Sequence, residues 1–324
     1  MKKILITGAC GFIGSHFTEY LVEQGHSVIA FDRYNSNNDH SWLNNSKYKD
    51  DIEFILGDIR DFDSVFHIMK KCFSCFHLAA LIGIPYSYIS PLGYLKTNVE
   101  GTYNILESSK ILNIDQVIIT STSETYGTAK YTPIDENHPL LAQSPYAASK
   151  IAADQLSLSY YRSFNLPIKI VRPFNVYGPR QSNRAIIPTI INQCLSESKY
   201  IELGNINPTR DFTYVKDTCN AIEEVFKSDN FIGEISNIGS GKDISINLLS
   251  EKINKIIGTD KKIKYDKDRK RPNKSEVDRL VCDFNKISSF CNWTPNITLE
   301  DGLNKTIDWF KLNKKDNLDF SYHV

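Results

Sequence analysis

The sequence predicts an α/β protein in which a doubly wound parallel sheet is joined to a smaller, mixed α/β lobe. Three observations predict it. Short apolar runs alternate with helix-period stretches through the first half of the chain, the pattern of parallel strands with crossover helices on both faces. The first run, Lys3-Ile4-Leu5-Ile6-Thr7, passes directly into Gly8-x-x-Gly11-x-x-Gly14. Beyond Arg172 the alternation breaks, and Pro173, Pro179, Pro188 and Pro208 punctuate shorter segments.

Lys3 to Thr7 is long enough for a buried strand and too short for a helix. A helix-period pattern through Ile13, Phe17, Leu21 and Val22 follows, then a second strand, Ser27-Val28-Ile29-Ala30-Phe31, ending on Asp32. This order is that of a dinucleotide site. Gly8 permits the tight turn, Gly11 admits a pyrophosphate, and Gly14 lets helix and strand pack closely. The helix start supplies N–H groups for phosphate. Asp32 accepts from a ribose diol and repels the 2′-phosphate of NADP, so the expected cofactor is NAD. Residues 34–46 read as a long polar loop beside the mouth. Glu53-Phe54-Ile55-Leu56-Gly57-Asp58 is the third strand, with Asp58 either meeting the adenine amino group or capping the helix that begins near Asp61. Ser74-Cys75-Phe76-His77 is the fourth strand, and Leu78-Ala79-Ala80 its small-residue exit under the dinucleotide. A helix is expected over residues 94–112, a fifth strand at Gln116-Val117-Ile118-Ile119-Thr120 and a long helix over 145–163, with Pro145 where proline is tolerated. Pro167-Ile168-Lys169-Ile170-Val171 is the sixth strand. Ile201-Glu202-Leu203 and Lys262-Ile263-Lys264-Tyr265 are short strands of the second lobe. Residues 215–226 and 234–239 return to the large sheet. The expected division is 1–173 for the dinucleotide domain, rejoined by about 212–239, with 174–211 and 240–324 forming the smaller lobe.

The 324 residues carry 38 Lys+Arg against 38 Asp+Glu, a balance that argues for neither nucleic acid nor an anionic membrane. The longest apolar stretch, residues 76–85, falls far short of the ~20 needed for a membrane span, and the first strand leaves no room for a signal peptide. Seven cysteines without an export signal suggest free thiols in the cytoplasm. Cys72-x-x-Cys75 has no second pair beside it and reads as packing, so no metal is expected.

Tyr146-x-x-x-Lys150 places two side chains on one helix face. An ammonium beside a phenol favours the phenolate, giving a general base for a hydroxyl. Thr122, after the fifth strand, can bond the same substrate hydroxyl. With NAD these are the parts for oxidising an alcohol.

Together, Gly8-x-x-Gly11-x-x-Gly14, His77-Leu78-Ala79-Ala80, Asn98, Tyr146-x-x-x-Lys150 and Arg172-Pro173-Phe174-Asn175-Val176-Tyr177-Gly178-Pro179-Arg180 resemble the extended short-chain dehydrogenase/reductases of the sugar-nucleotide epimerase/dehydratase group, over nearly the whole chain. The resemblance implies a Rossmann sheet and a nucleoside-diphosphate sugar oxidised at C4. It implies a catalytic set of Thr122, Ser123, Glu124, Tyr146 and Lys150. Cofactor contacts would come from Gly8, Gly11, Phe12, Ile13, Gly14, Asp32, Asp58, Ile59, Leu78, Ala79, Ala80, Asn98, Tyr146 and Lys150. Substrate contacts would come from Asn175, Arg184, Arg210 and Arg271, with Arg269 and Lys270 solvated. Family members commonly pair as homodimers through the helices holding Asn98 and Tyr146.

Glu124 favours a dehydratase. A 4-keto group acidifies the C5 proton, and a carboxylate beside C5 removes it while the C6 hydroxyl leaves. Thymidine-linked glucose dehydratases carry Thr-Asp-Glu, whereas Thr122-Ser123-Glu124 is similar to GDP-mannose dehydratases and UDP-glucuronate decarboxylases. Glu124 then serves as base and acid, or shares protons through a water; otherwise it merely caps a helix. Residues 121–128, 131–140, 143–146 and 178–188 resemble the dehydratases of bacterial legionaminic acid pathways, associated with GDP-N-acetylglucosamine, and Arg271-Pro272-x-x-Ser275-Glu276-Val277 fits the family's late substrate loop. The expected reaction is therefore 4,6-dehydration of GDP-N-acetylglucosamine. The alternatives are the UDP sugar, decarboxylation of UDP-glucuronate, for which residues 81–87 offer no cation, and C4 epimerisation.

Overall fold

The computed structural model describes residues 3–269 and 271–313. Met1, Lys2, Lys270, read above as solvated, and residues 314–324, assigned above to the smaller lobe, lie outside them. In chain order the strands are β1 (Lys3–Thr7), β2 (Val28–Arg33), β3 (Ile52–Gly57), β4 (Cys72–His77), β5 (Gln116–Thr120), β6 (Ile168–Pro173), β7 (Asn175–Tyr177), β8 (Tyr200–Leu203), β9 (Thr209–Tyr214), β10 (Ile235–Ile238), β11 (Asp243–Ser245), β12 (Lys262–Tyr265) and β13 (Arg279–Leu280). Seven of them form one sheet in the order β10-β6-β5-β4-β1-β2-β3, every pair parallel. The order reverses between β1 and β4, and ligands of such sheets sit at the carboxyl ends beside that point.

Strand periodicity sends alternate residues to opposite faces. Ile4 and Ile6 of β1 join a core with Phe17, Leu21, Val215 and Ile222, from helices Phe12–Glu23 and Val215–Lys227. Phe76 bridges that core, with its ring 4.8 Å from Phe17 and 5.0 Å from Phe226. Leu5 faces the other way, into Val65, Ile68, Ile105, Leu106 and Leu158 on helices Phe62–Met69, Gly101–Leu112 and Pro145–Phe164. Both faces of the sheet are therefore dry.

The remaining strands gather around β9, which pairs with β7 and β13 in parallel and with β11 antiparallel. A parallel pair, β8 and β12, stands apart. β9 leads directly into the helix Val215–Lys227, and β10 then pairs with β6, Asn237 opposite Arg172.

Three details depart from the sequence reading. Residues 34–46 are not only loop. Short 3₁₀ helices form at Ser41–Asn45 and Lys49–Asp51, with Leu43 buried, His40 stacked on Phe54 at 4.1 Å and Trp42 edge-on to Trp309 at 5.4 Å. The helix expected over 94–112 is interrupted by a π-helical segment, Leu95–Glu100, which holds Asn98. Arg269 is not solvated: its side chain is 14% exposed and its Nε donates to Asp266 at 2.9 Å.

Candidate active site

The carboxyl ends of the strands build the site from several directions. After β1, Gly8 takes φ +69°, and a Cβ there would lie 2.8 Å from the Ala79 backbone; at Gly14 it would lie 2.0 Å from the Gly8 carbonyl oxygen. Both glycines are thus required by packing. Gly11 starts the helix with no side-chain cap, so the N–H groups of Phe12 and Ile13 are helix-start donors that no capping side chain takes. Asp32 is fixed over this turn. Its Oδ2 accepts from Cys10 N–H at 2.6 Å and its Oδ1 from Arg33 N–H at 2.7 Å.

Asp58 does not cap the next helix; Asp61 does, accepting from Asp63 N–H at 3.1 Å. Asp58 is instead held by Arg60, whose Nε lies 2.9 and 3.0 Å from its two oxygens. That guanidinium keeps the carboxyl below the usual carboxylate range. Ile59 is buried, and its carbonyl accepts from Asn104 Nδ2 at 2.9 Å.

Under the dinucleotide path, Leu78 and Ala79 donate their N–H groups to Thr7, at its carbonyl and its hydroxyl oxygen, both at 3.2 Å, and Ala80 continues the exit. A buried relay supports them: Thr7 Oγ1 to His77 Nδ1 at 2.8 Å, His77 Nε2 to Thr102 Oγ1 at 3.2 Å, and Thr102 to the Asn98 carbonyl at 2.6 Å. Because Thr102 spends its proton on Asn98, His77 must donate from Nε2 and accept at Nδ1. Burial pushes its pKa down to about 3, so it stays neutral. Asn98 is a brace. Its Oδ1 accepts from Leu81 N–H at 2.8 Å, while Nδ2 donates to the Leu81 carbonyl and to Ser149 Oγ, both at 2.9 Å. The strand exit and the helix of Tyr146 are thereby tied together, with both Nδ2 hydrogens of Asn98 used.

That helix, Pro145–Phe164, starts at Ser144, whose hydroxyl accepts from Ala147 N–H at 3.1 Å. Tyr146 and Lys150 sit one turn apart, both buried. Lys150 Nζ donates to the Thr120 carbonyl at 2.7 Å; burial pulls its pKa down and Asp154, one turn further on, opposes this. Burial pushes the Tyr146 phenol up, and a hydrogen bond with Thr122 pulls it back. Thr122 also caps the 3₁₀ turn Ser123–Tyr126, accepting from Glu124 N–H at 3.2 Å. Glu124 is therefore a member of that turn and not its cap. Ser123 is buried within it. The Glu124 carboxylate interacts electrostatically with both Tyr146 and Arg210.

The opposite wall carries cations. Arg210, on β9, is buried and donates to the Thr209 carbonyl at 2.9 Å. Burial lowers its pKa, and Glu124 opposes that. Glu276 Oε1 lies 3.6 Å from Arg210 and 3.9 Å from Arg271, between the two guanidinium groups. Asn175 Nδ2 is buried with no partner among the described residues, a donor suited to an anionic ligand. Arg184 is exposed near Tyr94. The loop bearing Glu276 is stitched over the site by Gln143, whose Nε2 donates to the carbonyls of Glu276 at 2.9 Å and Lys274 at 3.1 Å.

Sequence reasoning gave no role to His77, Gln143, Glu276 or the ion pair of Asp154 and Arg172. That pair is 2.9 Å apart with side chains 0% and 1% exposed, and removing one partner of such a pair costs about 3–5 kcal/mol. The spacing Lys150-x-x-x-Asp154 was its one visible signal.

A family model described as GDP-mannose 4,6 dehydratase matches residues 5–306. The chain is 36% identical over 317 residues to a putative UDP-glucose 4-epimerase of Methanocaldococcus jannaschii, covering 96% of this chain and 99% of the relative. It is 33% identical to a UDP-N-acetyl-alpha-D-glucosaminuronate decarboxylase of Bacillus cytotoxicus, covering 97% and 99%. Among solved structures, a double mutant of dTDP-glucose 4,6-dehydratase from Streptomyces venezuelae, with NAD bound, aligns with TM-score 0.87 at 27% identity, covering 96% and 98%.

Proposed function

Since this chain belongs to the GDP-mannose 4,6-dehydratase-like family of NAD-dependent nucleotide-sugar dehydratases and epimerases, we propose that it is a 4,6-dehydratase of a nucleoside-diphosphate N-acetylglucosamine, the GDP sugar favoured. The product would be the 4-keto-6-deoxy sugar, made in the cytoplasm for legionaminic acid or a related surface sugar. The observation that carries this reading is Glu124, set on the turn that Thr122 caps and coupled electrostatically to both Tyr146 and Arg210. An epimerase needs no carboxylate there.

The residues present fit NAD. Gly8 and Gly14 leave a cradle that a Cβ would fill, the helix start after Gly11 lacks a side-chain cap, and Asp32 stands at the end of β2 to take a ribose diol. Bound there, NAD would supply the hydride acceptor for oxidation at C4 and the hydride donor for reduction at C6. Tyr146 takes the C4 hydroxyl proton, Thr122 orients that hydroxyl, and Lys150 favours the phenolate. Glu124 removes the C5 proton, and the C6 hydroxyl leaves as water. With Ser123 where other dehydratases hold an aspartate, the proton for that leaving group comes from Glu124, directly or through a water. Arg210, Arg271 and Asn175 would hold the diphosphate, forked guanidinium groups suiting its oxygens, with Arg184 near the sugar. Asp32→Ala is expected to weaken NAD binding about tenfold or more and to relax discrimination against NADP. Titration with both cofactors checks this, and an unchanged preference would remove Asp32 from the site.

The 36% identity to a putative 4-epimerase favours C4 epimerisation as the second reading. Separate incubation with GDP-N-acetylglucosamine, UDP-N-acetylglucosamine and UDP-glucuronate, followed by product mass, distinguishes the readings. Water loss from the GDP sugar alone is the expected result. Water loss from the UDP sugar keeps the chemistry and changes the nucleotide, carbon dioxide loss indicates a decarboxylase, and a new isomer of unchanged mass indicates an epimerase. A homodimer is also proposed, because Tyr103, Ile111 and Phe164 are exposed apolar side chains on the two helices concerned; a light-scattering mass near that of one 37.0 kDa chain would overturn it.

A further inference from the structure

The segment that carries Thr122, Ser123 and Glu124 is pinned at both ends by one buried ion pair. At its start, Ser121 Oγ donates to Asp154 Oδ2 at 2.7 Å. The same oxygen accepts from Arg172 Nε at 3.1 Å and Nη2 at 2.9 Å. At its end, the Tyr126 hydroxyl accepts from Arg172 Nη1 at 3.0 Å, and the Arg172 guanidinium lies 4.9 Å from the centre of the Tyr126 ring. Tyr126 spends its own proton on Asn237 Oδ1 at 2.8 Å. Asn237 cannot turn away: its N–H donates to Glu136 at 2.7 Å and its Nδ2 to the Ile134 carbonyl at 3.1 Å. Ser121, Tyr126, Asp154, Arg172 and Asn237 are all buried.

Between these pins stands Glu124. Among the described residues its carboxylate accepts no hydrogen bond, so its place is set by the backbone of the turn. Asp154 lies one turn beyond Lys150 on the helix of Tyr146, so the pair also fixes the turn relative to that helix. We propose that Tyr126, held by Arg172 and Asn237, is a positioning residue for Glu124, and that Ser121, held by Asp154, does the same for Thr122. This rests on the dehydratase reading. Tyr126 touches no reacting atom, and its loss selectively slows proton removal at C5.

The test compares wild type, Tyr126→Phe and Ser121→Ala, each with GDP- and UDP-N-acetylglucosamine. Three quantities are followed: the rise of reduced-nicotinamide absorbance, which reports C4 oxidation, solvent deuterium entering C5, and the mass of the product. For Tyr126→Phe the absorbance should rise at the wild-type rate and persist, while deuterium uptake and water loss slow about tenfold to a hundredfold, with KM unchanged. For Ser121→Ala oxidation itself should slow. Thermal unfolding identifies a variant that has not folded, and if Tyr126→Phe fails to fold, Ser121→Ala carries the test. Equal slowing of both steps in Tyr126→Phe, or no change in either variant, overturns the inference and leaves the dehydratase reading intact. Wild type that releases no water from either sugar overturns that reading, and the role given to Tyr126 falls with it.

Discussion

Tyr146→Phe is expected to lower turnover by about 10²–10⁴-fold, the range for a lost general base, without unfolding the protein. The ring that Phe keeps still packs edge-on against Tyr94, 6.1 Å away; only the hydroxyl bonded to Thr122 is lost. Burial opposes ionisation of this phenol, so it becomes a base only with a cation close by. In the proposed mechanism Lys150, one turn along the same helix, supplies that cation; Asp154 opposes the pull of its burial. The measurement is the rise of reduced-nicotinamide absorbance on adding the nucleotide sugar, beside the melting temperature. A wild-type rise in the variant would remove Tyr146 from the chemistry.

Glu124→Gln is expected to divide the reaction. In the proposed mechanism oxidation at C4 uses Tyr146, Thr122 and Lys150, so the absorbance should still appear. Water loss should fall by about 10²–10⁴-fold, because glutamine cannot take the C5 proton, and the reduced cofactor should persist. Glutamine has the shape of glutamate, so the turn capped by Thr122 is kept. A variant that released water at the wild-type rate would move the C5 chemistry to another group.

Much of this arrangement is legible in the sequence because it is local. The glycine turn, the helix after it and Asp32 lie within one βαβ unit, and Tyr146 and Lys150 share a helix face by spacing alone. The brace made by Asn98 is half legible. The motif marks the residue, but its partners Leu81 and Ser149 become neighbours only through the fold. Nothing local unites residues 121, 126, 154, 172 and 237, which meet because β5, β6 and β10 are adjacent in the sheet. Glu276, like Asn98, is half legible: the late loop motif contains it, but Gln143 and Thr128, which hold its carbonyl, meet it only in the fold. The π-helical segment around Asn98 is invisible because one inserted residue barely disturbs a 3.6-residue apolar period. Arg269 misled because a run of charges suggests solvent, while its own Asp266 was close enough to take it inside.

The pairing of β6 with β10 has a consequence for biosynthesis. β6 ends at Pro173 and its outer neighbour begins at Ile235, so a nascent chain must grow through β7, β8, β9 and the helix Val215–Lys227 before the sheet can close on that side. Until then β6 is an edge strand with unpaired backbone groups, a template for association with other chains. Lys169 and Arg172 point from it. In the finished fold Lys169 is capped by the carbonyls of Val225 and Phe226, at 3.0 and 2.7 Å, which are made more than fifty residues later. While those partners are missing, the Lys169 cation remains hydrated, and charge on an edge discourages mispairing. A side chain that ends as a fully buried charge of the sheet thus begins as a guard against association at its edge.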